Sequence, residues 1–319
     1  MSLKLGEIYR LAIEKGMEND VRTKEEIASD LARVQKRYEK MDVKEKDRFD
    51  TDALWNPYAD CRVLFGDLEK EVRTVLWGID IATPEVLLAD RLREKGRRID
   101  ALISHHPIGR ARARLHEAMP VLEYLMRSAG VPITTAEDIL GPRMREIRNL
   151  TAVDNHMQTI DAARLLDIPL MCLHSCTDNL VQRFIEKLVE ERRPERIEDI
   201  LELLLELPEF DRMARNGNGP EVYVGDRGRR AGKIMVKMCG GTSGPKEMFE
   251  ELSDAGVGTY MCMHLPENQL EEAKKHHINI IITGHEASDS LGVNLLADEV
   301  EARGVEVVPF SGLIRVKRN

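Results

Sequence analysis

Two adjacent histidines stand where an apolar run stops, in the segment ALISHHP at residues 101–107. Neighbouring side chains within a strand point to opposite faces of the sheet, so His105 and His106 could not both serve one site from inside a strand. They can do so just past the end of the strand, where the chain turns. The pair therefore predicts that a strand ends near residue 104 and that both imidazoles belong to one site.

Two further predicted strands end in the same kinds of side chain. One strand runs into His174 and Asp178, and another, near the end of the chain, runs into His285 and Asp289. Each histidine is four residues before its aspartate, which places the two on one face of a helical turn. Because open α/β sheets bind ligands at the carboxyl ends of parallel strands, we expect all three strands to lie in one sheet and these side chains to converge.

Mixed histidine and carboxylate ligands suit Zn²⁺, Fe²⁺, Mn²⁺ or Ni²⁺ better than Ca²⁺ or Mg²⁺. Four or five such ligands exceed what one ion with an open position needs. Two ions about 3.5–4 Å apart, bridged by a carboxylate, would use them all. Each histidine alone is more often a hydrogen-bonded loop residue, so the prediction of a site for two divalent ions per chain depends on their joint occurrence at three strand ends.

Other candidate sites are weaker. Cys172, His174 and Cys176 could form a thiolate–imidazole cluster, but no fourth ligand is near in the sequence, so core packing is the better interpretation of Cys172. The segment CGGTSG at 239–244 lacks the lysine of a phosphate-binding loop and is interpreted as a tight turn from strand to helix. The remaining histidines are interpreted as structural or as turn residues: His116, His156, His264, His276 and His277.

From residue 60 onward, short apolar runs alternate with amphipathic helices, a pattern typical of βαβ units with parallel strands. The first helix of this pattern begins with Thr83 as predicted N-cap and Pro84 at the first helical position. We predict an α/β fold with a parallel or mixed sheet flanked by helices. The predicted strands span 72–80, 99–104, 168–173, 278–283 and 305–310.

The sequence divides into three parts. Residues 1–55 are charged and helical in pattern, and we expect a helical N-terminal extension that packs on the main body without chemistry of its own. Residues 56–190 plus 265–319 are predicted to form the metal-binding α/β domain. Residues 191–264 are predicted to form a smaller inserted α/β domain, with a β-hairpin around the GDRG turn followed by a small βαβ module.

Composition restricts the classes of function. The formal net charge of −9 disfavours non-specific binding to a phosphate backbone, and 4% aromatic residues disfavour a stacking platform for single-stranded nucleic acid. The longest apolar runs are too short to cross a bilayer, and no signal-peptide pattern opens the sequence. Five cysteines, an odd number, are typical of reduced thiols. We expect a cytoplasmic protein with a small-molecule substrate and no membrane or nucleic-acid partner.

Four segments are similar to the motifs of one known family: DCRVLFGD (60–67), ISHHP (103–107), LHSCTDN (173–179) and TGH-x-x-x-D (283–289). On these residues the sequence resembles the Ngg-interacting-factor-three-like family, also called GTP cyclohydrolase I type 2-like proteins. The likeness runs from about residue 56 to the end, except in parts of 107–165 and 191–220. Phosphoesterases of the Asp-His-His type also use a histidine pair, but they need an aspartate where this chain has Ser104.

The resemblance implies a two-domain protomer, a dinuclear metal centre facing the cleft between the domains, and a homo-oligomer in the form of a hexameric ring. The metal ligands that it implies are His105, His106, Asp178, His285 and Asp289.

The sequence departs from the family in two ways. It carries a helical N-terminal extension and extra residues before His174, and Asp289 stands where a glutamate is usual. Either the helix after Gly284 lies closer to the site, or Asp289 contacts only one ion, or Glu286 is recruited. We expect Asp289 to point into the site, with the second ion bound weakly.

Two functions of different classes fit these residues. The first is a dinuclear metal-dependent hydrolase acting on a nucleotide-like or phosphorylated small molecule, with a cyclohydrolase-type reaction included. In it the ions activate water and stabilise the developing oxyanion, Asp178 and Asp289 bridge or flank them, and His174 orients a ligand or transfers a proton. The alternative is a non-catalytic metal-binding scaffold, a metal chaperone or a regulatory ring protein.

Overall fold

Two β-sheets, each covered by helices, make up most of the computed structural model, which describes residues 2–318. The strands are β1 (Leu3–Lys4), β2 (Arg62–Phe65), β3 (Glu71–Val72), β4 (Thr74–Gly78), β5 (Ala101–Ser104), β6 (Leu170–Cys172), β7 (Glu221–Val224), β8 (Lys233–Lys237), β9 (Val257–Cys262), β10 (Asn279–Ile282) and β11 (Glu306–Phe310). The helices are α1 (Leu5–Glu18), α2 (Lys24–Glu39), α3 (Val43–Arg48), α4 (Thr83–Glu94), α5 (Gly109–Ala113), α6 (Val121–Ser128), α7 (Ile133–Thr151), α8 (Gln158–Leu165), α9 (Ser175–Arg192), α10 (Ile197–Leu205), α11 (Pro208–Arg215), α12 (Met248–Asp254), α13 (Glu267–Lys275) and α14 (His285–Ala302). This architecture confirms the predicted α/β class.

The first sheet has the strand order β11-β4-β5-β6-β2. Strands β11, β4, β5 and β6 run parallel, and β2 is antiparallel to β6. All residues of β4, β5 and β6 are buried, as expected for parallel strands covered on both faces. The chain leaves the carboxyl edge of this sheet at Asp80, at His105 and His106, and at His174.

The second sheet has the strand order β7-β10-β9-β8, with β8, β9 and β10 parallel and β7 antiparallel. The predicted βαβ module is confirmed, because β8 and β9 pair in parallel on either side of α12. The predicted hairpin around GDRG is wrong, because β7 and β8 lie at opposite edges of the sheet. The connecting loop pairs elsewhere: the N–H of Ile197 donates to the carbonyl of Arg229, and that of Ala231 to the carbonyl of Glu195.

Strand β10 corrects a second expectation. It was predicted to join the strands that carry His105 and His174, but it lies in the second sheet between β7 and β9. Both its faces are covered there, Ile280 by the core around α6 and α12 and Ile281 by the core around α10 and α11. We therefore propose that the smaller domain extends to about residue 283 instead of ending at 264.

Helices α9 and α14 lie against each other between the two sheets. Side chains of both helices enter two hydrophobic cores, since Leu180 and Val293 belong to one and Val181 and Leu291 to the other. Each helix begins where a parallel strand has just ended, α9 after β6 and α14 after β10. The pair therefore carries side chains from both sheets toward one cleft.

Of the N-terminal helices, α1 packs against α9 and into the core of the first sheet. Helix α1 buries Leu5, Ile8 and Ile13 in the main core, whereas α2 buries only Ile27. A smaller difference concerns α4, which begins at Thr83 with Ala82 as N-cap, because the N–H of Ala82 donates to the Glu85 carboxylate at 2.8 Å. Within residues 2–318, no helix combines the length and apolarity needed to span a bilayer.

Candidate metal centre

Six histidine and aspartate side chains meet in the cleft between the carboxyl edges of the two sheets. Their ligand atoms form three groups, and within each group the atoms lie within 4.8 Å of one another. The three groups are His105 with Asp178 and Asp289, His106 with His285 and Asp289, and His105 with His106 and His174. All predicted ligands are therefore brought together. His105, His106 and Asp178 follow strands of the first sheet, as expected, whereas His285 and Asp289 follow a strand of the second sheet.

The first donor set is His105 Nε2, Asp178 Oδ1 and Asp289 Oδ1. The imidazole nitrogen of His105 lies 3.6 Å from the Asp178 oxygen and 3.3 Å from the Asp289 oxygen. All three residues are buried, with at most 3% of each exposed. This set combines residues from the end of β5 and from the first turns of α9 and α14.

The second donor set is His106 Nε2, His285 Nε2 and Asp289 Oδ2. The two nitrogens are 3.3 Å apart, and they lie 3.3 and 3.4 Å from the Asp289 oxygen. Asp289 thus offers one oxygen to each donor set, which is the arrangement of a bridging carboxylate. The geometry favours the alternative in which the helix lies closer to the site, and Glu286 belongs to neither donor set.

The donor atoms fit a divalent ion in both sets. Ligand bonds of about 2.1 Å in a tetrahedron place neighbouring ligands about 3.4 Å apart, close to the spacings found here. Four of the buried atoms have no hydrogen-bond partner: His105 Nε2, Asp178 Oδ1 and both oxygens of Asp289. Buried polar atoms without partners are costly, and cations between them would remove that cost.

The charge states of Asp178, Asp289 and His285 also suit metal binding. Burial raises the pKa of Asp178 to about 7, and a nearby cation would favour its ionised form. Burial opposes ionisation of Asp289 as well, yet the neighbouring imidazoles hold its pKa well below the usual range. Burial lowers the pKa of His285 to about 4, which leaves its ring neutral, the form that binds metals. His106 differs, because burial would lower its pKa but hydrogen bonds to Asp289 and Asp80 outweigh burial and raise the pKa to about 10, so an ion at this position would have to displace a proton from the ring.

Hydrogen bonds fix the orientation of the two adjacent imidazoles. The hydroxyl of Thr177 donates to a backbone carbonyl, so its oxygen accepts from Nδ1–H of His105 at 2.9 Å. Asp80 accepts from Nδ1–H of His106 at 2.7 Å. In both rings Nε2 therefore faces the donor set, as is usual for histidines that bind metals.

His174 is held in the same way by a buried carboxylate. Asp60 is fully buried and accepts from Nδ1–H of His174 at 2.8 Å and from the hydroxyl of Ser175 at 2.7 Å. Burial would raise the pKa of Asp60, but the hydrogen bond from His174 lowers it overall. The Nε2 atom of His174 then lies 3.7 Å from Asp178 Oδ2.

Sequence reasoning missed three residues of this region: Asp60, Asp80 and His264. Asp80 and His264 could have been found, because each follows the end of a parallel strand, β4 or β9, as the predicted ligands do. His264 was interpreted as structural, yet its ring centroid lies 4.8 Å from that of His285. Asp60 precedes an antiparallel strand, and no strand-end pattern marks it.

The remaining candidates lie outside the donor sets. His276 pairs with Glu272 at 3.0 Å at the end of α13, and Cys172 is buried in the first sheet. The segment 239–244 forms a tight turn, in which Gly240 and Gly241 have φ of +100° and +71°. A Cβ on Gly240 would lie 2.3 Å from Leu122, so packing explains this glycine.

A cavity of about 450 Å³ opens beside the donor sets, a volume suited to a small molecule. Its walls combine imidazoles, one acid, one base and apolar side chains. The imidazoles are His106, His174, His264 and His285, the charged residues are Asp80 and Arg112, and the apolar residues are Ile81, Ala82, Pro107, Ile108 and Leu115. Gly241 and Thr242 complete the wall on the side of the second sheet.

Solved structures resemble this chain over most of its length. A NIF3 superfamily protein from Sphaerobacter thermophilus is 32% identical, with 80% of this chain and 92% of that chain covered and a TM-score of 0.69. Reduced HcgD from Methanocaldococcus jannaschii is 14% identical over 77% of this chain and 87% of that chain, with a TM-score of 0.49. No family model matches the sequence, and no curated protein sequence does.

Proposed function

The chain belongs to the NIF3 superfamily, and on that basis we propose that it is a dinuclear metal-dependent hydrolase acting on a nucleotide-like or phosphorylated small molecule. One observation carries the proposal: the two oxygens of Asp289 face two separate donor sets and have no hydrogen-bond partner. A cyclohydrolase-type reaction belongs to this class.

Each ion would have two ligands of its own and share a third. His105 and Asp178 would hold one divalent ion, His106 and His285 the other, and Asp289 both. Zn²⁺, Fe²⁺, Mn²⁺ and Ni²⁺ all suit these donors, and two such ions would supply a Lewis acid and lower the pKa of water. The hydrogen bonds from His105 to Thr177 and from His106 to Asp80 keep both rings aimed at the donor sets.

His174 is our proposed proton-transfer residue. Its Nδ1–H is held by Asp60, so Nε2 is free to accept a proton, and the ring forms part of the cavity wall. A water or a substrate hydroxyl in the cavity could therefore give its proton to His174 without any movement of the ring.

Two features favour an enzyme over a non-catalytic scaffold. Each donor set has three protein ligands, which leaves a coordination position open, as in catalytic metal sites. The cavity beside the sets is large enough for a small-molecule substrate. A scaffold or a metal chaperone needs neither feature.

The test is metal analysis of the purified protein, with a hydrolase screen before and after chelation. We expect about two divalent ions per chain, activity that disappears on chelation and returns with added metal, and a large loss of bound metal in His105→Ala and His106→Ala. His276→Ala is the control and should keep its metal. Equal metal content in all three variants would place the site elsewhere, and loaded protein without any hydrolase activity would favour the scaffold.

A further inference from the structure

Gly292 lies at a close contact between helices α9 and α14. A Cβ at this position would lie 2.4 Å from the carbonyl oxygen of Thr177, 3.1 Å from its carbonyl carbon and 3.3 Å from Cγ1 of Val181. The two nearest atoms are backbone, so they cannot rotate away as a side chain could. An ordinary contact would require the two helices to move apart by about 1 Å at this point.

This contact adjoins the ligand-bearing turns of both helices. Gly292 lies three residues after Asp289, on the same side of α14. Thr177 immediately precedes Asp178 and accepts the hydrogen bond from His105. A separation at Gly292 would therefore move Asp289 away from both Asp178 and His105.

The distances between the donor atoms leave little tolerance for such a movement. The oxygens of Asp289 lie 3.3 Å from His105, 3.3 Å from His106 and 3.4 Å from His285. Those values already match the edge of a tetrahedral site, about 3.4 Å. A shift of about 1 Å would take one or both oxygens out of bonding range, whereas a glutamate would extend the reach by one C–C bond, about 1.5 Å.

We propose that Gly292 is a positioning residue that sets the reach of Asp289, and that the two residues form a matched pair. The missing side chain at 292 lets α14 lie close enough to α9 for a short aspartate to face both donor sets. Both donor sets would then bind an ion tightly, in contrast to the weakly bound second ion expected from the shortened side chain. This inference rests on the proposed metal-binding function. It assigns the number of bound ions per chain to the contact between α9 and α14 at Gly292.

The test compares zinc stoichiometry and affinity in four variants, measured by metal analysis after dialysis against defined free Zn²⁺. Wild type should hold about two ions per chain, and Gly292→Ala should lose about one of them. Asp289→Glu alone should weaken zinc binding, because α14 lies close to the site and the longer side chain would carry its oxygens past the donor sets. The double variant Gly292→Ala with Asp289→Glu should bind more zinc than Gly292→Ala alone. Gly141→Ala in α7 is the control, since a Cβ there meets only Arg145 at 3.8 Å.

Three results would overturn the inference. The first is Gly292→Ala holding two ions as tightly as wild type. The second is a double variant, folded by circular dichroism, that binds no more zinc than Gly292→Ala. If Gly292→Ala does not fold, the single variant Asp289→Glu is the test. The third overturning result is that Asp289→Glu binds zinc as tightly as wild type does. Wild-type protein that binds none of Zn²⁺, Fe²⁺, Mn²⁺ and Ni²⁺ in the same dialysis would instead refute the proposed function, and this inference with it.

Discussion

The carboxylate of Asp60 and the imidazole of His174 form a buried pair at the edge of the candidate metal centre. Asp60 accepts three hydrogen bonds, from His174, from Ser175 and from the thiol of Cys61, and is itself completely buried. A buried carboxylate held ionised beside an imidazole fixes which ring nitrogen carries the proton. Asp60 therefore acts through His174 and touches neither donor set.

Asp60→Asn tests this pair. The amide keeps the size of the side chain but removes its charge, so the ring of His174 is no longer held in one tautomer. We expect turnover of the substrate found in the screen to fall by about 10–100-fold, with bound metal unchanged. The double variant with His174→Ala should be no slower than His174→Ala alone. A fully additive loss, or a loss of metal in Asp60→Asn, would show that Asp60 acts by another route.

At the scale of elements, helix α6 carries an acid into a negatively charged setting. Glu123 is half-buried on α6, and burial, together with Glu137 on α7 and Asp30 on α2, raises its pKa to about 7. The ordinary pKa of this group is 4.5. Since the folded state binds the proton more tightly, the stabilising contribution is complete below pH 4.5 and is lost as the pH rises through 7.

Glu123→Gln should therefore change how stability depends on pH. The amide stays neutral, so the variant does not lose the free energy of unfolding that wild type loses as Glu123 ionises between about pH 5 and pH 8. We expect the Tm of Glu123→Gln relative to wild type to be higher at pH 8 than at pH 5, in thermal melts followed by circular dichroism. Glu14→Gln, at an exposed position on α1, should show the same difference from wild type at both pH values. A Glu123→Gln difference that does not grow with pH would contradict the packing described for α6.

At the scale of the whole molecule, one segment of the chain exposes several large hydrophobic side chains. Between residues 150 and 165, large hydrophobic side chains stand exposed, among them Val153 at 85% and Leu165 at 80%. The others in this stretch are Leu150 and Met157. Groups of exposed apolar side chains mark protein interfaces more often than isolated ones do. We propose that this stretch contacts a second copy of the chain in a homo-oligomer, with the hexameric ring as the specific form.

Light scattering coupled to size-exclusion chromatography measures the oligomer directly. Wild type should elute as a homo-oligomer, and the double variant Val153→Asp with Leu165→Asp should shift toward the monomer mass. Val43→Asp is the matched control, because Val43 is also 85% exposed but stands alone on α3. Monomeric wild-type protein, or a double variant with the wild-type mass, would rule out this interface.

The sequence by itself determined the local structure and the chemistry of the site. Apolar runs and helical periodicity predicted β4, β5, β6 and β11 and the helix α4 that follows β4, because element type is encoded in short-range spacing. The strand-end positions of His105, His106, His174, Asp178, His285 and Asp289 predicted a shared site, and these side chains do meet. For His105, His106, His174 and Asp178 chain direction explains the meeting, since β5 and β6 are parallel and end at a common edge. His285 and Asp289 follow β10 of the second sheet, so the packing of the two sheets brings them to the same place.

Only the tertiary structure decided which sheet each strand joins and how far each side chain reaches. A strand buried on both faces, such as β10, is apolar throughout, so its sequence does not specify its neighbours. The hairpin failed for a related reason, because long-range pairing with residues 195–197 outweighed a local turn signal. The partners Asp60 and Asp80, and the contact of Gly292 with Thr177, join residues from 26 to more than 100 positions apart. Distances of this kind follow from the packing of whole elements, and no local pattern in the sequence encodes them.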